Sequence, residues 1–284
     1  MSSARPFVYF FSAFFAFAAM IIGSNVSAAL IAFDSFDYDA GTDNLNGKNG
    51  GFGFTAGWSG TAGVQEVRTP GSTYPGLFTL GNKAFISASN QNFRTLTSGN
   101  PGAGDSTIWI SFIGQRVGAN NVRFFGLSFY EGDVNTSANE RFTIGENSNN
   151  NNDQWGVHFT SAGTPRLDVA GTSVTTESLL LARIDYHAAA NDDFYLWVNP
   201  DLSAGEPTTA TAGASSVGLQ NLAFDRLSIR GGTLSGGNIG EANYDEIRIG
   251  STFADLLAVP EPSSLLLAFY VASCFACLRR SRRV

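Results

Sequence analysis

Between residues 29 and 258 the chain has no cysteine, so no disulfide can staple that segment and no thiolate can bind a metal there. Histidine is nearly as scarce. The two present, His158 and His187, lack the partner spacing of a zinc site. No G-x-S-x-G nucleophile elbow occurs. The glycines of Gly50-Gly51-Phe52-Gly53 are not followed by the Lys-Ser/Thr pair of a phosphate-cradling loop. No interior stretch sustains a helical period, which all but excludes a helical domain. Basic residues are few. Setting aside Glu261 from the 24 acids, and Arg5 with four C-terminal arginines from the 17 bases, leaves 23 acids and 12 bases in residues 29–258. That surplus, about −11, argues against nucleic acid or an anionic membrane as partner and suits cations or neutral glycans.

What is present begins with two apolar ends. Arg5 precedes the apolar stretch Phe7 to Ile22, and Val26-Ser27-Ala28 supplies small residues, so residues 1–28 read as a signal peptide cleaved after Ala28. At the other end Val259-Pro260-Glu261-Pro262 precedes an apolar run, Ser263 to Leu278, then a cluster containing Arg279, Arg280, Arg282 and Arg283. The prolines cannot continue a helix, the run can cross a membrane as one, and the arginines mark its cytoplasmic end. Cys274 and Cys277 lie one helical turn apart within that run and read as small, soft side chains rather than a redox pair. This three-part order resembles the PEP-CTERM sorting signal. The resemblance covers residues 259–284 and implies an exosortase-type membrane enzyme as partner, with Pro260, Glu261 and Pro262 as the sorting motif. It also implies a chain held transiently in the inner membrane, then sent to the cell surface or an exopolysaccharide matrix.

The 230 residues between these ends suffice for one sizeable domain. Short runs of alternating polarity between Gly, Asn, Pro and Ser clusters predict strands near 31–38, 64–68, 83–88, 107–116, 122–130, 140–146, 155–159, 166–170, 179–186, 193–199, 222–230 and 244–249. A short helix or turn is expected at 251–258. About a dozen such strands predict an all-β, two-sheet sandwich or jelly roll. Residues Phe33-Asp34-Ser35-Phe36-Asp37-Tyr38, the Asn46 to Gly51 turn with Trp58, Phe194 to Pro200, and Tyr244 to Ser251 together resemble concanavalin A-like (LamG-like) domains. That resemblance implies a jelly roll whose first and last strands lie side by side, and it implies no particular activity. The Asn147 to Asp153 stretch reads as a surface loop, and Ser203 to Gly218 as a connection across the sandwich.

Three sets of side chains invite a functional reading. Asp245 shares the parity of Ile247 and Ile249, so it is expected to point inward, where a carboxylate needs a partner. If the terminal strands pair, Asp34 comes near it, and the two become candidate ligands of a structural Ca²⁺, weighed against plain hydrogen bonding. Trp197 lies on the strand face opposite Phe194, Leu196 and Val198. It is the leading candidate for sugar stacking among the aromatics, weighed against a core position. Glu131-Gly132-Asp133 has two carboxylates but reads as a turn rather than a glycosidase strand. The expectation is therefore a non-catalytic, adhesive or glycan-binding exported protein. A glycosidase on the same jelly roll and a permanently membrane-anchored envelope protein remain the alternatives.

Overall fold

A computed structural model describes residues 30–258 except 43, 61–64, 88–90, 103, 119–123, 135, 147–152, 161–165, 215–220 and 233–239. The expected signal peptide, the expected sorting tail and its helix, and most of the Asn-rich stretch lie outside the described residues. Within them the chain forms fifteen strands in two antiparallel sheets. In chain order these are β1 (Leu30–Asp34), β2 (Ser59–Gly60), β3 (Gln65–Arg68), β4 (Lys83–Ile86), β5 (Gln91–Thr95), β6 (Ser106–Arg116), β7 (Phe125–Tyr130), β8 (Glu140–Glu146), β9 (Gly156–Phe159), β10 (Leu167–Asp168), β11 (Ser178–Tyr186), β12 (Asp193–Val198), β13 (Ala212–Ala214), β14 (Arg226–Gly231) and β15 (Ala242–Gly250). One helix, α1 (Phe253–Leu257), follows the last strand. Among the described residues no helix is long and apolar enough to cross a membrane.

The eight-stranded sheet runs β13-β12-β11-β6-β15-β4-β3, with β1 also pairing β15. The seven-stranded sheet runs β10-β9-β8-β7-β14-β5-β2. The first strand therefore lies beside the last, as the resemblance implied, with Asp34 opposite Ile247. Alternation along each strand turns one face of each sheet into a shared core. Ile108, Ile110 and Phe112 of β6 meet Phe125, Leu127 and Phe129 of β7 within one buried cluster. Gly51 and Gly53 press against β1, where an added Cβ would stand 2.0 Å from the Phe33 carbonyl oxygen and 2.1 Å from that of Ile31. That close approach, with φ of +67° and +84°, accounts for the glycines of residues 50–53.

Polar side chains close the core. Arg94 of β5 reaches Asp34 of β1 across the sandwich at 2.6 Å, both 1% exposed. Arg116 of β6 reaches Glu146 of β8 at 2.9 Å, and Asp153 at 2.7 Å competes for the same guanidinium. Burial pushes the Glu146 carboxyl up to about 7, with Arg116 opposing and Asp153 adding to the rise.

A carboxyl raised in the fold binds its proton more tightly there than in the unfolded chain, so stability falls as pH rises from the ordinary value, near 4.5, to about 7. We expect the melting temperature to drop across that window and the Glu146→Gln variant to lose part of the drop, a contribution on the order of 1–3 kcal/mol. Parallel pH–melting curves for the two proteins would refute this.

Candidate functional site

An open groove of about 510 Å³ lies on the outer face of the eight-stranded sheet, lined by Asp105, Thr107, Trp109, Arg183, Asp185, His187 and Glu206, among others. Its floor follows from register. Across β6, β11 and β12, Trp109 stands opposite Arg183 and Arg183 opposite Tyr195; in the next outward row Thr107 stands opposite Asp185 and Asp185 opposite Asp193. Neighbouring strands are about 4.8 Å apart, so each row is a continuous ladder of side chains. The Arg183 guanidinium lies 4.4 Å from the Tyr195 ring centroid and 5.6 Å from that of Trp109. It also pairs with Asp185 at 3.0 Å and approaches Glu206 at 3.8 Å.

These contacts hold the floor rigid. Thr107 Oγ1 donates to Asp185 at 2.9 Å, which fixes that carboxylate between a hydroxyl and a guanidinium. At the rim His187 Nε2 meets Asp193 at 3.2 Å, and Asp105 accepts from the Ala188 amide at 3.1 Å. A second opening of about 250 Å³ shares Tyr186 and His187 with the first and adds Asn100, Glu131, Asp192 and Asn221. Asp192 is committed to the backbone, accepting from His187 at 3.1 Å and Leu222 at 2.8 Å. Burial holds the Tyr186 phenol well above its usual range, so it acts as a donor, here to the Leu222 carbonyl. The groove thus offers the Arg183 guanidinium, the hydroxyls of Ser106 and Thr107, and three lining carboxylates, Asp105, Asp185 and Glu206, above a Trp109 ring that is itself buried. Such a surface can hold a sugar by its hydroxyls, and it repels polyanions.

A second polar cluster occupies the outer face of the seven-stranded sheet. Arg230 Nη1 donates to Glu140 at 2.6 Å and to the Tyr130 hydroxyl at 2.9 Å, while Ser128 and Thr143 meet at 2.6 Å. All five side chains are buried. Burial pushes the Tyr130 phenol up and the nearby His158 imidazole down, the latter opposed by Glu140. A phenol so raised is a poor base at neutral pH. The crevice beside it, lined by residues including Phe124, Thr143, His158 and Arg166, has no room for a water molecule. This cluster is a closed network rather than a site.

The candidate calcium ligands do not converge. β15 carries a bulge at Glu246 (φ +52°), where the register with β6 slips between Asp245 and Arg248. The extra residue reverses the alternation, so Tyr244 and Ile247 enter the core while Asp245 faces outward beside Ile113. Asp34 points inward. It accepts from the Phe36 amide, the Tyr38 hydroxyl, Trp58 Nε1 and Arg94 at 2.6–2.9 Å. Asp245 accepts from the Ser72 and Glu246 amides at 2.7 and 2.8 Å. The two carboxylates sit on opposite faces of one sheet and cannot share an ion. Among the described residues no group of three or more His, Cys, Asp or Glu side chains is placed to hold a metal.

Trp197 also needs correction as a sugar platform. It is on the outer face as expected, yet only 3% exposed, because Phe253 and Leu256 of α1 with Leu77 and Leu202 cover that part of the sheet. Its ring stacks on Trp109 at 5.5 Å, and its Nε1 donates to the Thr209 carbonyl at 2.7 Å. Glu131 and Asp133 lie in a turn, as the sequence suggested, with Glu131 bound to Arg141. The candidate sorting residues Pro260, Glu261, Pro262, Arg279, Arg280, Arg282 and Arg283 lie outside the described residues. Sequence reasoning missed Arg183 and Asp185, although charges at alternate positions of an otherwise apolar strand, Leu179 to Tyr186, carry the signal.

No family model matches the chain, and no curated protein matches it. Solved structures of similar fold include an endo-β-1,4-glucuronan lyase from the fungus Trichoderma reesei, at 10% identity over 80% of this chain and 98% of that one, TM-score 0.46. An alginate lyase in complex with an alginate trisaccharide matches at 12% identity over 79% and 100% of the two chains, TM-score 0.44. A carbohydrate esterase from the Shiga toxin-encoding bacteriophage phi24B matches at 15% over 69% and 91%, TM-score 0.39. These are likenesses of fold alone. With two lyases and an esterase among them, the expectation of a non-catalytic domain is overturned. Likenesses at this level assign no reaction to this chain.

The burial of Trp197 makes its truncation a test of packing. Trp197→Ala should cost about 3–5 kcal/mol of stability in denaturant unfolding. A folded variant of near-native stability would show that the ring is not held as described.

Proposed function

We propose that this chain is an exported carbohydrate-recognising protein that takes a neutral or amine-bearing sugar in the groove over β6 and β11. The observation that carries the reading is the paired rows Trp109–Arg183–Tyr195 and Thr107–Asp185–Asp193, which set a guanidinium, a hydroxyl and carboxylates side by side in the open groove. Wild-type protein should bind a neutral or amino polysaccharide in calorimetric titration and ignore a polyanionic one. Glu206→Gln changes a half-exposed side chain and leaves the fold untouched, while Arg183→Gln removes the central donor. Each should weaken binding about tenfold, roughly 1.4 kcal/mol. Wild-type affinity in both variants, or no binding by the wild type, refutes the assignment.

The same proposal includes delivery. The support is the sequence: a signal peptide over residues 1–28 and a tail in which Pro260, Glu261 and Pro262 precede an apolar run and four arginines. An exosortase-type enzyme would act at or near that motif, releasing the domain to the cell surface or matrix. Intact mass of surface and medium fractions should show a chain starting near Ala29 and ending within 259–262, and Glu261→Ala should leave the full tail in the membrane fraction. A full-length wild-type tail would make this a permanently anchored envelope protein instead.

A further inference from the structure

The most exposed large apolar side chains among the described residues are Phe52, Phe78 and Leu80, at 44%, 43% and 42%. The segments that carry them are tied to Phe33, Glu246 and Arg248. Phe52 pairs with Phe33 through two backbone hydrogen bonds, and their ring centroids are 6.1 Å apart. The Arg248 guanidinium lies 5.1 Å from the Phe33 ring centroid and donates to the Phe78 carbonyl. Glu246, paired with Arg248 at 2.7 Å, accepts from the Leu80 amide at 2.5 Å.

The same guanidinium holds the root of the tail. Arg248 Nη1 donates to the Leu256 carbonyl at 2.6 Å and lies 3.5 Å from that of Ala258. Only residues 259–262 then separate Ala258 from the apolar run beginning at Ser263. Four fully extended residues span at most about 14 Å. While that run sits in a bilayer, the root and the apolar patch tied to it through Arg248 are held at the bilayer surface.

We propose that Phe52, Phe78 and Leu80 form a lipid-facing patch on which the domain rests while its tail is inserted. The patch is small, but the tether supplies a high effective concentration, so weak contacts suffice. Its lipid is uncharged. Asn82 donates to the Tyr38 carbonyl, which places the exposed Asp37 and Asp39 near the patch, and these acids oppose an anionic surface. The inference goes beyond sugar binding and rests on membrane insertion of the tail.

The native tryptophans Trp58, Trp109, Trp155 and Trp197 are each 3% exposed or less, so Phe78→Trp adds the one exposed indole. The full-length variant would be reconstituted in phosphatidylcholine vesicles with and without brominated acyl chains. A control, Ala138→Trp, places an indole at the exposed turn before β8 in the other sheet. Contact with the acyl boundary should quench roughly half or more of the added Phe78→Trp emission and little of the control's. Equal quenching in the two variants overturns the proposal. So does failure of the full chain to float with the vesicles, which would remove the tail from the membrane altogether.

Discussion

The sandwich depends on one buried carboxylate. Asp34 stands at the end of the first strand and gathers four donors: a backbone amide, a phenol, an indole and the guanidinium of Arg94 from the opposite sheet. Burial alone would push its proton affinity up, and Arg94 and the three hydrogen bonds oppose that. Taking away one member of such a pair strands a charge in the core, typically at a cost of about 3–5 kcal/mol. The interaction also fixes geometry. Arg94 accepts only a carboxylate arriving at the right height, so β1 is locked to β15 and β5 is locked above both. The Asn46 to Trp58 loop is then fastened over that end, through Gly50 and Asn49 to the same arginine.

That constraint explains where sequence reading succeeded and where it stopped. Strands such as β6, β11 and β12 were legible because apolar residues alternate with polar ones and point inward as a set. β5 was invisible because its inward residues are Asn92 and Arg94, buried at 0% and 2%, while Phe93 lies on the other face. A polar lining inverts the pattern that marks a half-buried strand. β13, Ala-Gly-Ala, carries no side-chain signal at all. Asp245 was misplaced for a different reason. One residue at positive φ, Glu246, reverses the parity of everything before it, and nothing in the local alternation announces a bulge.

The outer face of the eight-stranded sheet shows how one surface divides its tasks by what covers it. Towards Leu179 and Leu181, α1 and the segments around Leu77 and Leu202 turn the face into a second core, and Trp197 becomes a packing residue. Towards Asp185 the cover ends, and the same rows of side chains continue into the open groove. Trp109 belongs to both regions, since it stacks on Trp197 and lines the groove. The groove floor is therefore braced by the same aromatic packing that docks the C-terminal helix. Parity placed Trp197 on the right face, but a sequence cannot say which half of a face a distant helix will cover.

Charge limits the sugars that the proposed groove would accept. Arg94, Arg116, Arg230 and Arg248 are all buried, paired with Asp34, Glu146, Glu140 and Glu246. These are four of only twelve basic residues in the domain, against 23 acids. Burial also takes seven acids from the surface, Asp34, Glu140, Glu146, Asp192, Asp245, Glu246 and Asp255, and the surplus of acids still leaves the outside acidic. A polyanionic glycan would approach that field against repulsion and meet one guanidinium already engaged with Asp185 and near Glu206. A neutral or amine-bearing sugar meets no such barrier. The domain's surplus of acids, and not the burial of its arginines, is therefore what would set the charge of a sugar bound in the proposed groove.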